Sequence, residues 1–158
     1  MLYHPSRDAH FSDDLSIALA EGLKAAGFSV DRATLTCATS GALMEFALIA
    51  VVSNTFWWTP DLPTLRYLER VRPDGIAAIG LISGAGSTAR SQRLLDEALR
   101  RTGANVIRTR SLWSKRPNDE GRMNEDNRAV ALDMAQQFGR DSGAFVLAAV
   151  ARTSALTP

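Results

Sequence analysis

Short apolar segments alternate with amphipathic segments along the whole chain. Leucines recur at helical spacing at positions 15, 19 and 23, whereas residues 46–52 form an uninterrupted apolar run. Such a run is typical of a strand that is buried on both faces, as in a parallel sheet covered by helices. The repeated strand and helix pattern therefore predicts an α/β fold with helices on both faces of a parallel sheet.

The predicted helices begin and end at recognisable capping residues. The first helix is expected to have Ser12 as its N-cap and to end at Gly27. Three further helices are predicted: one that starts at Pro63, one that ends at Gly103, and one over residues 124–138. Strands are predicted at residues 28–35, 46–52, 75–82 and 104–109. Residues 1–4 leave only a short first strand, so we expect the natural strand to be longer.

Composition narrows the class of protein. A chain of 158 residues with 46% hydrophobic content fits one domain with one substantial core. The net charge of +1, without a basic block among aromatic residues, argues against nucleic acid as a partner. Cys37 is the only cysteine, which excludes an internal disulfide and suits a reducing compartment. With no signal-peptide pattern and no apolar run long enough to span a membrane, the chain is expected to be cytoplasmic.

A polar and aromatic loop follows the apolar run at residues 46–52. It contains Asn54, Thr55, Phe56, Trp57 and Trp58. In open parallel sheets ligands bind beyond the carboxyl ends of the strands, so these rings are expected to stack on a flat ligand there. Because adjacent side chains often point in opposite directions, we expect no more than one tryptophan to face the ligand. The alternative is that one ring packs under the loop and the other contacts a second subunit.

Other loops are expected at the same edge of the sheet. One contains Ser83, Gly84, Ala85 and Gly86, and its glycines permit a close backbone approach to a ligand, or else serve only a tight turn. Trp113 in a later loop either borders the pocket with neighbouring cations or anchors a solvated loop. The loops lack the G-x-G-x-x-G and Walker spacings, which argues against dinucleotide-binding and P-loop sites.

The remaining reactive side chains do not form a familiar catalytic or metal-binding pattern. His4, His10 and Cys37 lack the spacing of metal ligands, so no metal site is predicted. No G-x-S-x-G nucleophile elbow is present either, which argues against a serine hydrolase. His10, before the first helix, is expected either to donate a hydrogen bond to a ligand or to be solvated. No catalytic residue is therefore identified.

The order of these elements resembles that of short-chain flavodoxin-like proteins over roughly residues 1–140. The resemblance rests on the helix at residues 15–27, the loop ending at Trp57 and Trp58, the proline-containing helix start at residues 60–69 and the loop at residues 80–86. It implies a doubly wound three-layer α/β sandwich with a five-stranded parallel sheet in the order 2-1-3-4-5. It also implies flavin mononucleotide (FMN) at the strand ends.

In that family the first loop wraps the flavin phosphate with backbone N–H groups at a helix N-terminus. The corresponding residues here, by this resemblance, are Ser6, Arg7, Ala9, His10 and Ser12. This stretch contains no glycine, and Asp8, Asp13 and Asp14 would repel a phosphate dianion. The sequence is thus compatible with a modified phosphate loop or with a capped helix start whose ligand site has decayed.

Two functions follow from the resemblance. The first is an FMN-binding protein acting in electron transfer or as an NAD(P)H-linked flavin or quinone reductase. The near-neutral charge favours a reductase, because electron-shuttling flavodoxins are typically acidic. The alternative is a flavin-free binding or assembly module. Residues 144–158 follow the expected domain at residues 1–143 and are strongly apolar, so we expect them to pack on that domain or to form a homodimer interface.

Overall fold

The central element of the fold is a parallel sheet. The structure is a computed structural model, and it describes residues 1–3, 10–35, 43–85 and 88–155, of which residues 153–155 are described by their backbone only. The strands are β1 (Leu2–Tyr3), β2 (Ala33–Thr34), β3 (Leu48–Phe56), β4 (Thr59–Pro60), β5 (Ala77–Gly84) and β6 (Asn105–Trp113). The parallel strands follow the order β2-β1-β3-β5-β6, and the short β4 pairs antiparallel with β3. Apart from β4, this is the predicted order 2-1-3-4-5, which is confirmed.

Helices cover both faces of the sheet. They are α1 (Phe11–Ala25), α2 (Leu62–Leu68), α3 (Ala89–Arg101) and α4 (Asn127–Ala155). The apolar run in β3 serves both faces: Ile49 and Val51 join the core beneath α2 and α3, while Ala50 and Val52 join the core beneath α1 and α4. All four side chains are at most 5% exposed. The predicted doubly wound three-layer sandwich is therefore confirmed.

The start of α1 differs from the prediction. The N-cap is His10, in the left-handed region with φ of 61°, and it makes no side-chain capping bond. Ser12 is the second residue of the helix, so its prediction as N-cap is wrong: the left-handed turn at His10 starts the helix earlier. At the other end Gly27 follows the C-cap residue with φ of 105°, a conformation that favours glycine, as predicted.

Two buried strands extend beyond their predicted carboxyl ends. Asn54 of β3 is still paired with Ser83 of β5, so polar residues continue the ladder after the apolar run stops. These side chains are therefore held on rigid strands. By contrast, the strand predicted at residues 28–35 is paired only at Ala33 and Thr34.

Helix α4 packs closely against α1 and extends well past its predicted end. A Cβ added at Gly139 would lie 2.4 Å from the backbone oxygen of Leu19, so only glycine permits this approach. Near the helix end Val146 is buried, whereas Phe145 and Leu147 are exposed. Residues 144–155 thus continue a domain helix while leaving part of their apolar surface uncovered. Within the described ranges, no helix is long and apolar enough to cross a membrane.

Candidate functional site

The candidate site lies at the carboxyl edge of the sheet, where β3 and β5 end and α1 begins. Because α1 follows β1 and the two strands beside it run parallel to β1, the N-terminus of α1 opens at the edge where β3 ends. The structure places ten of the predicted site residues. Seven residues singled out in the sequence lie outside the described part of the chain: His4, Ser6, Arg7, Asp8, Ala9, Cys37 and Gly86.

The aromatic loop is a tight β-hairpin. Phe56 pairs with Thr59 across a two-residue turn made by Trp57 and Trp58, whose φ angles are 49° and 60°. Positive φ at both central positions is the mark of a type I′ turn, which favours Asn-Gly. Large side chains are strained in this conformation, at about 1–2 kcal/mol per residue. The fold therefore holds two tryptophans where a hairpin alone would favour much smaller residues.

The three rings of the hairpin are presented outward. Phe56, Trp57 and Trp58 are 59%, 73% and 56% exposed. The two indoles meet edge to face, with ring centroids 6.1 Å apart, and Trp57 meets Phe56 in the same way at 6.4 Å. Neither tryptophan packs under the loop, and the alternation of side chains along a strand does not apply within a turn. The cluster offers a flat apolar ligand a wall of aromatic surface.

Asp61 ties the hairpin to the sheet. Its buried carboxylate accepts hydrogen bonds from the hydroxyl of Ser53 at 2.7 Å and the backbone N–H of Asn54 at 2.9 Å. The other carboxylate oxygen accepts from the backbone N–H and the hydroxyl of Thr64, at 2.9 and 2.8 Å, and so caps α2. Sequence reasoning missed this residue, although an aspartate three residues before Thr64 at a helix start is a recognisable N-cap signal.

Polar residues of β3 and β5 form the part of the candidate site next to the sheet. The amide oxygen of Asn54 accepts from the backbone N–H of Thr55 at 3.0 Å and from the hydroxyl of Ser83 at 3.1 Å. Next to this pair, a Cβ on Gly84 would come within 3.1 Å of the Thr55 hydroxyl oxygen and 2.7 Å of Thr88. The Thr55 hydroxyl is itself buried without a hydrogen-bond partner among the described residues. This arrangement leaves one buried hydroxyl for a bound molecule to pair with.

Trp113 is an anchor for the neighbouring loops. Its indole N–H donates to the hydroxyl of Thr88 at 2.7 Å, before α3. Its backbone N–H donates to the amide oxygen of Asn118 at 2.7 Å, and its carbonyl accepts from the amides of Asn118 and Asn127. Lys115 and Arg116 are exposed nearby. Of the two interpretations of this segment, the structure favours the anchoring aromatic.

Two arginines lie at the N-terminal turn of α1. Arg32 contacts the carboxylate of Asp13 at 2.6 Å, and Arg128 of α4 pairs with Asp14. Two of the acids that argue against a phosphate in the sequence, Asp13 and Asp14, are thus each paired with an arginine from elsewhere in the chain. No local pattern indicates these pairs, because the partners lie 19 and 114 residues away.

The remaining predicted residues differ in accessibility. His10 and Ala85 are exposed at the edge, whereas Ser12 is fully buried in the first turn of α1. Nothing in the described part of the chain brings three or more His, Cys, Asp or Glu side chains together as a metal site. The arrangement is suited to holding a flat ligand by contact and hydrogen bonding.

The chain is similar in three-dimensional structure to several solved proteins at low sequence identity. A flavodoxin from the domain Archaea aligns with a TM-score of 0.70 and 18% identity, covering 92% of this chain and 96% of its own. An NAD(P)H:quinone oxidoreductase from Methanothermobacter marburgensis aligns with a TM-score of 0.63 and 20% identity, covering 89% of this chain and 95% of its own. A Streptococcus pneumoniae flavodoxin aligns with a TM-score of 0.67 and 15% identity, covering 91% of this chain and 97% of its own. No protein-family model and no curated protein sequence matches the chain.

Proposed function

Because the chain has the flavodoxin-like fold, we propose that it binds FMN at the carboxyl edge of the sheet and acts in electron transfer or as an NAD(P)H-linked flavin or quinone reductase. Fold alone does not establish chemistry, so the proposal depends on the site. The observation that carries it is the turn at Trp57 and Trp58. This turn accepts backbone strain and leaves two indoles exposed at the ligand edge. Strain of this kind is concentrated at functional sites.

The ring end of the site fits an isoalloxazine. Trp57 or Trp58 would supply a flat apolar surface for stacking, and the amide of Asn54, fixed by its bond to Ser83, would meet the polar edge of the ring. Gly84 keeps the backbone clear where a Cβ would meet Thr55. The unpartnered Thr55 hydroxyl gives a polar ring edge a hydrogen-bond partner. These features support a ring of flavin shape and polarity.

The phosphate end of the site is compatible with an anion once the ion pairs are considered. The first turn of α1 carries a partial positive charge from its unpaired backbone N–H groups. Arg32 and Arg128 offset Asp13 and Asp14, so these acids leave no net negative charge at the turn. His10 lies exposed at the start of the helix, where its side chain is accessible to a phosphate.

Bound FMN supplies one-electron and two-electron redox chemistry, and the chain positions and tunes it. The role of the chain's own residues is to stack on the ring, to hold its polar edge on β3 and β5, and to shield it from water. The neutral charge of the chain favours a reductase over an acidic electron shuttle. One of the structurally similar proteins is an NAD(P)H:quinone oxidoreductase, which supports the same choice.

The alternative function is a flavin-free binding or assembly module, which the absence of glycine from residues 6–12 favours. The two can be separated by loading the protein with FMN, removing excess FMN, and adding NADH or NADPH without oxygen. A reductase loses its flavin absorbance with one of these donors and regains it with menadione. A carrier is bleached only by dithionite. Protein that retains no flavin after loading contradicts the proposal and supports the binding module.

A further inference from the structure

A cavity of about 310 Å³ lies between α2 and α3 and reaches the hairpin at Thr59. Its lining residues are Thr59, Leu65, Leu68, Glu69, Arg72, Leu94, Ala98 and Arg101. It exists because the two helices differ in length: α2 has 7 residues and α3 has 13. At 1.5 Å per residue these are about 10 and 20 Å long, so α2 leaves part of α3 uncovered.

The walls of this cavity are apolar. Leu68 is buried at its base, while Leu65, Leu94 and Ala98 are half-buried and leave the rest of their surface facing the open space. Such surface is stabilised by an apolar occupant, at about 25 cal/mol for each Å² removed from water. The volume lies at the lower end of the range for small-molecule sites, which is about 300–1,000 Å³. It suits a short or medium acyl chain better than a coenzyme.

The cavity also has a cationic rim. One terminal nitrogen of Arg72 donates to the carbonyls of Glu69 and Val71, at 3.0 and 2.7 Å, which fixes its guanidinium head and leaves its other N–H groups without a described partner. Arg101 makes only a loose ion pair with Glu97, at 3.7 Å, and its side chain is 79% exposed. The surrounding residues 62–101 contain seven arginines against four acidic residues, in a chain whose net charge is +1.

We propose that this cavity binds a small amphiphilic carboxylate, with its acyl chain between α2 and α3 and its carboxylate at Arg72 and Arg101. The guanidinium fork matches a carboxylate in geometry and charge, and its hydrogen bonds to an ionised acceptor are about twice as strong as neutral ones. Among the described lining residues Glu69 is the one acid against these two arginines, and Glu97 is only loosely paired with Arg101, at 3.7 Å. The proposed site is separate from the proposed flavin edge, although Thr59 of the hairpin lines this cavity.

The test uses decanoate as the probe, below its micelle concentration, on the full flavin-free chain. Amide shifts in a ¹H–¹⁵N NMR titration are expected to saturate and to be confined to residues around Leu65, Leu94 and Ala98. Decylamine, which has the same chain and the opposite charge, is expected to bind at least tenfold more weakly. Equal binding of the two, shifts elsewhere, or no saturation would overturn the proposal.

Three variants test the two halves of the site. Arg72→Gln with Arg101→Gln is expected to weaken decanoate at least tenfold without changing the fold, since both side chains are on the surface. The control, Arg66→Gln with Arg90→Gln, removes two exposed arginines that do not line the cavity and should leave binding unchanged. Ala98→Leu fills the cavity and should block the chain. Decanoate affinity that is unchanged in the rim variant refutes the site. FMN binding is measured separately, so either proposal can fail alone.

Discussion

Replacing Trp57-Trp58 by Asn-Gly should relieve the backbone strain in the turn and weaken the proposed binding of FMN. The present turn holds two indoles at φ of 49° and 60°. Asn-Gly is the sequence that a type I′ turn favours, because both residues adopt positive φ at little cost. The hairpin pairs at Thr55–Pro60 and Phe56–Thr59 are made by the backbone and do not need the indoles.

The size of the effect can be estimated from the turn geometry. Relief of the left-handed strain is worth about 1–2 kcal/mol for each residue, or about 3 kcal/mol for the pair. The flexibility that glycine gives the unfolded chain offsets about 1 kcal/mol of this. Trp57 and Trp58 are 73% and 56% exposed, so about 140 Å² of their surface is covered, and its loss costs about another 2–3 kcal/mol. The free energy of unfolding is therefore expected to stay within about 1 kcal/mol of the wild-type value. A variant that loses the indoles but keeps the strain should be about 2 kcal/mol less stable than the Asn-Gly variant, a difference of about 4–8 °C in Tm for a chain of this size.

Urea and thermal unfolding, followed by circular dichroism, measure the stability change. The matched control is Trp57→Leu with Trp58→Leu, which removes the rings but keeps bulky side chains at positive φ. We expect no gain in stability from the control, and a loss of at least about tenfold in FMN affinity for both variants, since 1.4 kcal/mol of stacking is a factor of ten. An Asn-Gly variant that is no more stable than the control would refute the strain argument. One that keeps its FMN affinity would refute the role of the indoles.

Three further predictions concern other parts of the molecule. Asp61→Ala leaves the buried donors of Ser53 and Thr64 without their acceptor. In urea titration it should lower the free energy of unfolding by about 2–4 kcal/mol. A change under about 0.5 kcal/mol would contradict the anchoring role. Arg128→Gln removes the ion-pair partner of Asp14. In fluorescence titrations it should lower the affinity for FMN by about fivefold and leave the affinity for riboflavin unchanged. Equal losses of affinity for the two ligands would exclude an effect on the phosphate. The exposed apolar end of α4, beside a cavity of about 470 Å³, suits contact with a second copy of the chain. Phe145→Glu should therefore convert a dimer into a monomer in sedimentation velocity. A wild-type protein that is already monomeric would contradict this.

The order of elements could be predicted because β3 and β5 are largely apolar runs, and because α1 and α3 carry apolar residues at helical spacing. The switch from an apolar run to polar residues located the carboxyl end of this strand only approximately, because β3 continues through Asn54 to Phe56. Boundaries were less predictable where backbone conformation decides them. The left-handed residue His10 is the N-cap of α1, and the enrichment of histidine at positive φ is too weak a signal to fix the boundary.

The electrostatics of the candidate site depended on residues distant in sequence. The acids at the start of α1 argued against a phosphate, yet Arg32 and Arg128 pair with them once the chain is folded. The same limit applies to the turn. Two adjacent tryptophans predicted stacking, but a hairpin with positive φ at both positions could not be read from them, since Trp-Trp is not a sequence that such turns favour.

Binding of FMN to the purified chain is the central claim, and a fluorescence titration tests it most directly. FMN at fixed concentration is titrated with protein, with riboflavin and a free-indole control in parallel. The account predicts saturable quenching of FMN at one site per chain, with tighter binding than for riboflavin. FMN fluorescence that stays unchanged at protein concentrations well above the ligand would contradict it, and would leave the chain a flavin-free module on a flavodoxin-like fold.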